Sequence, residues 1–444
     1  TNRDWSMRDF IHLWKTASQG LEENSPAWYG QLRRLRRRML LRIAYRDVCA
    51  LAPMRQTLRE QSALAEFVLG VVLDAVIKSW IQRLGEPWNE EADAPARWCV
   101  LALGKLGGRE LNFFSDLDLI FFFEGSGTCR KQGAATQVSN EEFYARAFRE
   151  ACGKLQEPSP YGPLYHIDLR LRPEGDSGPL VRRFSGLLHY YWTLGQTWER
   201  LAWIRARPVA GDLSLGGELL EEMNAFRYPR STSPKLLQEV AGVKLRTERE
   251  VVGAGLLGRD IKSGVGGIRE IEFFVQAHQL VNGGRNPFLQ SASTEDALER
   301  LARYGFIDER TRAFLFESYL FLRTVENRLQ QYDEQQVHVL PPADDPWRSA
   351  LARSLGFAKR ADFEAHLNAT RAGVREIYLG YFGLSTREDE LQQWVAFLGG
   401  EAPSEPIAKI LNEWFAGAPD IEKRVRQFAL GGPTHAVTRE QVSL

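Results

Sequence analysis

Leu32, Leu35, Met39 and Ile43 recur at steps of three and four, with Arg33, Arg34, Arg36, Arg37 and Arg38 between them. This spacing predicts an amphipathic helix near the start of the chain. A second helix is predicted over about 63–84, and the Pro-, Glu- and Ala-rich stretch 85–96 reads as a linker. Beyond it the period shortens. Residues 98–103 form an apolar strand that runs into glycines, 117–123 form a second strand, and Phe143, Ala147, Phe148 and Ala151 mark a helix over 141–155. A turn at 158–163 leads into a third predicted strand, 164–172, where His166, Asp168, Arg170 and Arg172 alternate with apolar residues. From about residue 216 helices return, with Leu315, Tyr319, Leu322, Val325, Leu329 and Tyr332 at steps of three and four, and a last helical unit over 407–430. The pattern divides into a helical N-terminal region (1–95), a mixed core (96–215), a helical bundle (216–385) and a C-terminal helical segment (386–444), an α+β class overall.

Composition narrows the class of molecule. A chain of 444 residues has room for two to four domains, taking roughly 150 residues each. Lys+Arg and Asp+Glu both number 57, so the basic excess expected of a nucleic-acid binder is absent. The longest apolar stretch, 63–81, is broken by Glu66, Asp74 and Lys78, which predicts a buried helix and no membrane span. Cys49, Cys99, Cys129 and Cys152 lack CxxC spacing and read as buried thiols of a reducing cytoplasm, not a zinc site. The chain begins at Thr1, which fits a fragment or a processed product.

The chemistry concentrates where the second strand begins. Asp116 and Asp118 stand two residues apart, so an extended backbone projects both from one face. Such a pair repels itself unless a cation intervenes, and oxygen-rich sites suit Mg²⁺ or Mn²⁺, which hold phosphates for in-line displacement. Asp168, on the wet face of the third strand, is the candidate third ligand. Arg170 and Arg172 would neutralise phosphate charge. The plainer reading pairs Asp168 with these arginines and gives it no chemistry. Gly104 and Lys105 lack P-loop spacing, yet the glycines would let backbone amides approach phosphates. Ser115 either touches phosphate or closes the turn. Lys262, ahead of Gly264, Gly266 and Gly267, is a further phosphate candidate. The helix opening at Ile268 either offers its N-terminus to an anion or simply starts with Glu270 and Glu272 along its dipole. His166 and His189 are either bases or structural residues, and the arginine run is either a phosphate contact or a solvated face.

Several motifs in register carry a resemblance. Gly104-Lys-Leu-Gly-Gly-Arg-Glu-Leu-Asn112, Ser115-Asp-Leu-Asp-Leu-Ile-Phe121, Tyr165-His-Ile-Asp-Leu-Arg-Leu-Arg-Pro173, Trp198-Glu-Arg200, Arg205-Ala-Arg-Pro208, Gly266-Gly-Ile-Arg-Glu-Ile-Glu-Phe273 and Glu326-Asn-Arg-Leu-Gln330 resemble the glutamine synthetase adenylyltransferase family, over roughly residues 30–380. The resemblance implies a polymerase β-like nucleotidyltransferase core with Asp116, Asp118 and Asp168 as catalytic, metal-holding carboxylates. It implies glutamine synthetase as protein substrate, inorganic phosphate and ADP or ATP as small reactants, and a PII-type nitrogen-signalling protein as a possible regulator. Full-length members look like two fused copies of this unit, one removing AMP from tyrosine by phosphorolysis and one adding it from ATP. Glu110-Leu-Asn112, Arg269-Glu270 and Asp333-Glu-Gln-Gln336 are more similar to the removing copy. Phe114 departs from the family pattern, which usually has a small residue there. AMP transfer from ATP, and a non-catalytic module that only binds its partner, are the competing expectations.

Overall fold

The computed structural model describes residues 3–231, 258–382 and 421–429, together with positions 236, 239–242, 397, 398, 407 and 411. The chain separates into two compact units, Thr1–Arg375 and Glu376–Leu444.

The first unit begins with three helices, α1 (Met7–Ala17), α2 (Pro26–Val48) and α3 (Met54–Leu84). Ser25 opens α2 by accepting from the Trp28 amide at 3.3 Å, with Pro26 at the first helical position. Leu64, Phe67, Val68, Leu69, Val72, Leu73 and Val76 are fully buried on α3. That helix is apolar nearly all round because α1, α2 and later elements enclose it.

Two sheets follow. The predicted linker is instead β1 (Glu86–Asn89) and β2 (Ala94–Pro95), and the next strand is β3 (Trp98–Ala102). A one-turn helix, α4 (Gly104–Gly107), leads to β4 (Leu117–Phe123), β5 (Thr128–Lys131), β6 (Ala134–Ser139) and the helix α5 (Asn140–Gln156). Then come β7 (Ile167–Asp168), β8 (Val181–Arg183), α6 (Phe184–Leu194), α7 (Thr197–Ile204), β9 (Arg207–Gly211), α8 (Leu213–Glu222) and α9 (Asn224–Arg227). The smaller sheet has the order β2-β1-β5-β6, and the larger runs β7-β4-β3-β9, with β8 also pairing with β4. In the larger sheet β4 is antiparallel to β3 and parallel to both β7 and β8.

The period of two along β4 decides what each face touches. Leu117, Leu119, Phe121 and Phe123 join the core made by α2, α3 and α5, while Ile120 and Phe122 face a second core with Leu187, Tyr191, Trp203, Leu215 and Phe226. Asp118 continues the second face past the end of that apolar cover, and Asp116 lies just ahead of the strand. The change from helix to strand comes at Gly85, ahead of the sequence boundary at 95/96, and one core runs across both positions.

The later helices of this unit are α10 (Ile268–Asn282), α11 (Thr294–Arg303), α12 (Glu309–Asp333), α13 (Pro346–Ser354) and α14 (Arg360–Phe382), the last crossing into the second unit. In the second unit the helical segment α15 (Ile421–Ala429) is described, and Phe397, Ile407 and Leu411 cluster with Leu398, Ile421 and Val425. The remainder of the predicted helical unit at 407–430 lies outside the described residues. Among the described residues no helix is long and apolar enough to cross a membrane. All four cysteines are free; three are buried, but Cys49 is exposed at the end of α2, against the expectation of four buried thiols.

Candidate active site

The parallel pairing of β4 with β7 sets Asp118 directly opposite Asp168, one step after Leu117 opposite Ile167. Burial pushes the Asp118 carboxyl up to about 6, aided by the charges of Asp168 and Asp116, while Lys262 and Lys105 pull the other way.

Asp168 is held differently. Its oxygens accept the Arg170 amide at 2.9 Å and the Arg170 guanidinium at 2.6–3.1 Å. Burial pushes this carboxyl up, but the Arg170 hydrogen bonds and charge, with Arg172 beyond, outweigh it and hold Asp168 below its ordinary value. The same hydrogen bond to the Arg170 amide ends the strand. The predicted strand 164–172 shrinks to two paired residues, because an aspartate that bonds the backbone two residues on makes a turn in place of a ladder. Arg172 consequently leaves the predicted wet face, and its guanidinium reaches the carbonyls of Leu169 at 2.8 Å and Gly178 at 3.4 Å.

Gly104 supports the site through its missing side chain. Its φ is +52°, in the left-handed region, and a Cβ there would overlap the Asp118 carboxylate. The glycine lets the Asp118 carboxylate lie against backbone.

Lys105 does not project freely toward a phosphate. Its ammonium donates to Asn112 Oδ1 at 2.6 Å and Glu326 Oε1 at 2.7 Å, and burial pulls its pKa down to about 7 against the Glu326 charge. Ser115 is buried and its Oγ has no partner among the described residues. Phe114 is half-buried against the main core, and its amide donates to Gln330 Oε1 at 3.2 Å.

Lys262 comes to the site from far along the chain. Asp260 Oδ1 accepts the amides of Lys262 and Ser263 at 2.8 and 2.7 Å, and Asp260 pairs with Val339 as an antiparallel bridge. That pairing sets Lys262 against His338, Nζ to Nε2 3.4 Å. The α10 N-terminus is not an open anion site, because the Ile268 and Arg269 amides already donate to the carbonyls of Ile261 and Lys262. His166 and His189 are exposed; the His166 carbonyl accepts the Leu117 amide at 2.9 Å, but among the described residues neither imidazole bonds the site carboxylates.

Sequence reasoning missed the buried polar seam behind these groups. Glu110 accepts from the Thr294 amide at 2.7 Å, from Tyr319 at 2.8 Å and pairs with Arg205 at 3.2 Å. Arg323 bonds the Glu110 carbonyl, and Asn112 donates to Asn327 at 2.5 Å. Tyr319, Arg323, Glu326, Asn327 and Gln330 thus present one side of α12 to the 110–114 segment that leads into Asp116. Charged residues among apolar ones at helical spacing read as a solvated edge, and no local signal reports a partner some two hundred residues away.

Do these residues suit a divalent cation? Among the described residues no three Asp, Glu, His or Cys side chains converge tightly enough to hold a metal as they stand. The donor chemistry does fit: Asp118 on β4, Asp168 opposite it on β7 and Asp116 just ahead of β4 are hard oxygen ligands, and burial together with the charges of Asp168 and Asp116 disfavours the ionised Asp118, which a cation would favour. Asp168 would have to share or release Arg170.

Residues 12–222 match the family model for glutamate-ammonia ligase adenylyltransferase, and residues 236–382 match that for GlnD PII-uridylyltransferase. Proteins called bifunctional glutamine synthetase adenylyltransferase/adenylyl-removing enzyme are similar over most of the chain. The one from Nitrosococcus oceani is 37% identical over 384 residues, which is 85% of this chain and 39% of the relative. That from Shewanella loihica is 36% identical over 86% of this chain and 39% of the relative. That from Xanthomonas campestris is 40% identical over 74% and 35%. The chain spans about two fifths of the length of the curated relatives it matches.

Proposed function

Because residues 12–222 place this chain in the glutamate-ammonia ligase adenylyltransferase family, we propose that it removes AMP from adenylyl-tyrosine on glutamine synthetase by phosphorolysis. The observation that carries the chemistry is the Asp118–Asp168 register, with Asp116 just ahead of the strand and its charge acting on Asp118. We read the β3–β4–β7 region as a polymerase β-like nucleotidyltransferase core, followed by a helical bundle.

In the proposed reaction an oxygen of inorganic phosphate bonds the α-phosphorus, forming the diphosphate of ADP. The bond from that phosphorus to the tyrosine oxygen breaks, and the phenolate leaves with the electron pair and takes a proton from solvent. Asp116, Asp118 and Asp168 would hold Mg²⁺ or Mn²⁺, which when bound supplies charge neutralisation for the phosphates. Lys262 adds positive charge on the Asp118 side, and Arg170 orients Asp168. Gly104 keeps the space that Asp118 needs.

The direction rests on the likeness of Glu110-Leu-Asn112 and Arg269-Glu270 to the adenylyl-removing copy. In the structure Glu110, Asn112 and Glu270 are buried and held by partners such as Tyr319, Asn327 and Arg375. They would set direction by shaping the site. The reverse activity, AMP transfer from ATP, is the second reading, favoured by the printed name of the relatives, which covers both activities. The match of residues 236–382 to a PII-uridylyltransferase model supports a PII-type regulator acting on the helical region. The test is to supply adenylylated synthetase with Mg²⁺ and phosphate and assay ADP. AMP incorporation from ATP without ADP release would reverse the assignment.

A further inference from the structure

We propose that His338, set by Glu326, is a positioning residue that aims the Lys262 ammonium at the phosphate site beside Asp118. His338 Nδ1 lies 2.9 Å from Glu326 Oε1, a close charge contact without hydrogen-bond alignment, and its Nε2 lies 3.4 Å from Lys262 Nζ. A carboxylate beside Nδ1 favours the proton on that nitrogen, which leaves Nε2 as an acceptor for the ammonium. Glu326 itself is fully buried on α12 and fixed a second time by Lys105, so the chain has a rigid anchor. Burial and the two lysines push the His338 pKa down against the pull of Glu326, which is consistent with a neutral ring able to accept.

The arrangement solves a physical problem. A lysine side chain has four rotatable bonds, and one whose charge reaches a buried carboxylate such as Asp118 would otherwise collapse onto it as a simple ion pair. An acceptor on its other side gives the ammonium a resting position from which it can also meet phosphate oxygen. The Asp260–Val339 bridge supplies the backbone geometry, because it fixes the segment carrying His338 against the segment carrying Lys262. His338 touches neither phosphate nor tyrosine in this scheme.

This inference rests on reading the β4 end as a phosphate-binding site, and calorimetric binding of Mg·ADP tests it without turnover or glutamine synthetase. Lys262→Met is expected to weaken ADP binding by about 10-fold or more, and His338→Ala by a smaller factor in the same direction. The double variant should bind no worse than Lys262→Met, because one effect acts through the other. His338→Gln should restore near wild-type binding, since its amide can donate to Glu326 and accept from Lys262. Should His338→Ala lose cooperative unfolding, His338→Met refills the volume without the acceptor, and only His338→Gln should bind normally. Additive losses, equal binding by the Gln and Met variants, or a wild type that does not bind ADP would overturn the proposal. A wild type that binds ADP but releases none from adenylylated synthetase sinks the deadenylylation reading and leaves the lysine-positioning result standing.

Discussion

Asp118 and Asp168 stand as direct partners on neighbouring parallel strands, yet their carboxyls are driven in opposite directions, Asp118 up by burial and Asp168 down by Arg170. Asp168 ionises readily because the Arg170 guanidinium lies beside it, whereas Asp118 gives up its proton only near neutral pH.

A pH dependence follows for the metal-free protein. The folded Asp118 pKa of about 6 exceeds its ordinary 3.8. Between these values the folded state binds the proton more tightly than the unfolded one, so stability falls as pH rises. Asp118→Asn should therefore raise stability at pH 7 by on the order of 2–3 kcal/mol, with little gain at pH 4. Urea denaturation at the two pH values measures this. The same variant should lose at least about a hundredfold in turnover while still binding glutamine synthetase.

Gly104 offers a sharper structural test. Gly104→Ala should cost roughly 1–2 kcal/mol for the left-handed backbone and also displace Asp118, so turnover falls in a protein that still folds. Gly70 in α3 has open space and ordinary helical backbone. Gly70→Ala should add about 0.5–1 kcal/mol and leave activity alone. Thermal melts and an activity assay on both variants make the comparison.

The Lys105–Glu326 pair should behave as a buried ion pair. Lys105→Met alone leaves Glu326 short of a partner and is expected to cost about 3–5 kcal/mol. Adding Glu326→Gln should recover part of that loss, which a double-mutant cycle by chemical denaturation would read. Strict additivity would mean that the two groups do not depend on each other.

Because Arg170 holds Asp168 below its ordinary value, Asp118, raised to about 6, is the later of the two carboxyls to ionise and sets the acid limb of the pH–rate profile. Arg170→Met lets Asp168 protonate at higher pH, which should steepen the limb as a second carboxyl titrates beside Asp118. A limb of unchanged steepness would show that Asp168 ionisation does not govern the rate.

The sequence made the strand at Asp118 legible, because the apolar run 117–123 survives folding as β4, although the strand begins after Asp116. It overextended the strand through Asp168, since alternation cannot show that the aspartate side chain bonds the Arg170 amide and ends the ladder. Strands β1 and β2 were hidden by Pro87 and Pro95, residues that signal turns when isolated but are accommodated in a short sheet. Lys105 read as a phosphate ligand because its partner, Glu326, lies 221 residues away. His338 gave no signal at all: its role depends on a bridge between two segments that only folding brings together.

The most direct measurement follows ADP after wild-type protein and Asp118→Asn are mixed with adenylylated glutamine synthetase, Mg²⁺ and inorganic phosphate. The account predicts one ADP per AMP lost from tyrosine with the wild type and essentially none with Asp118→Asn. Equal release by both proteins, or AMP-tyrosine formed from ATP by a wild type that releases no ADP, would contradict it.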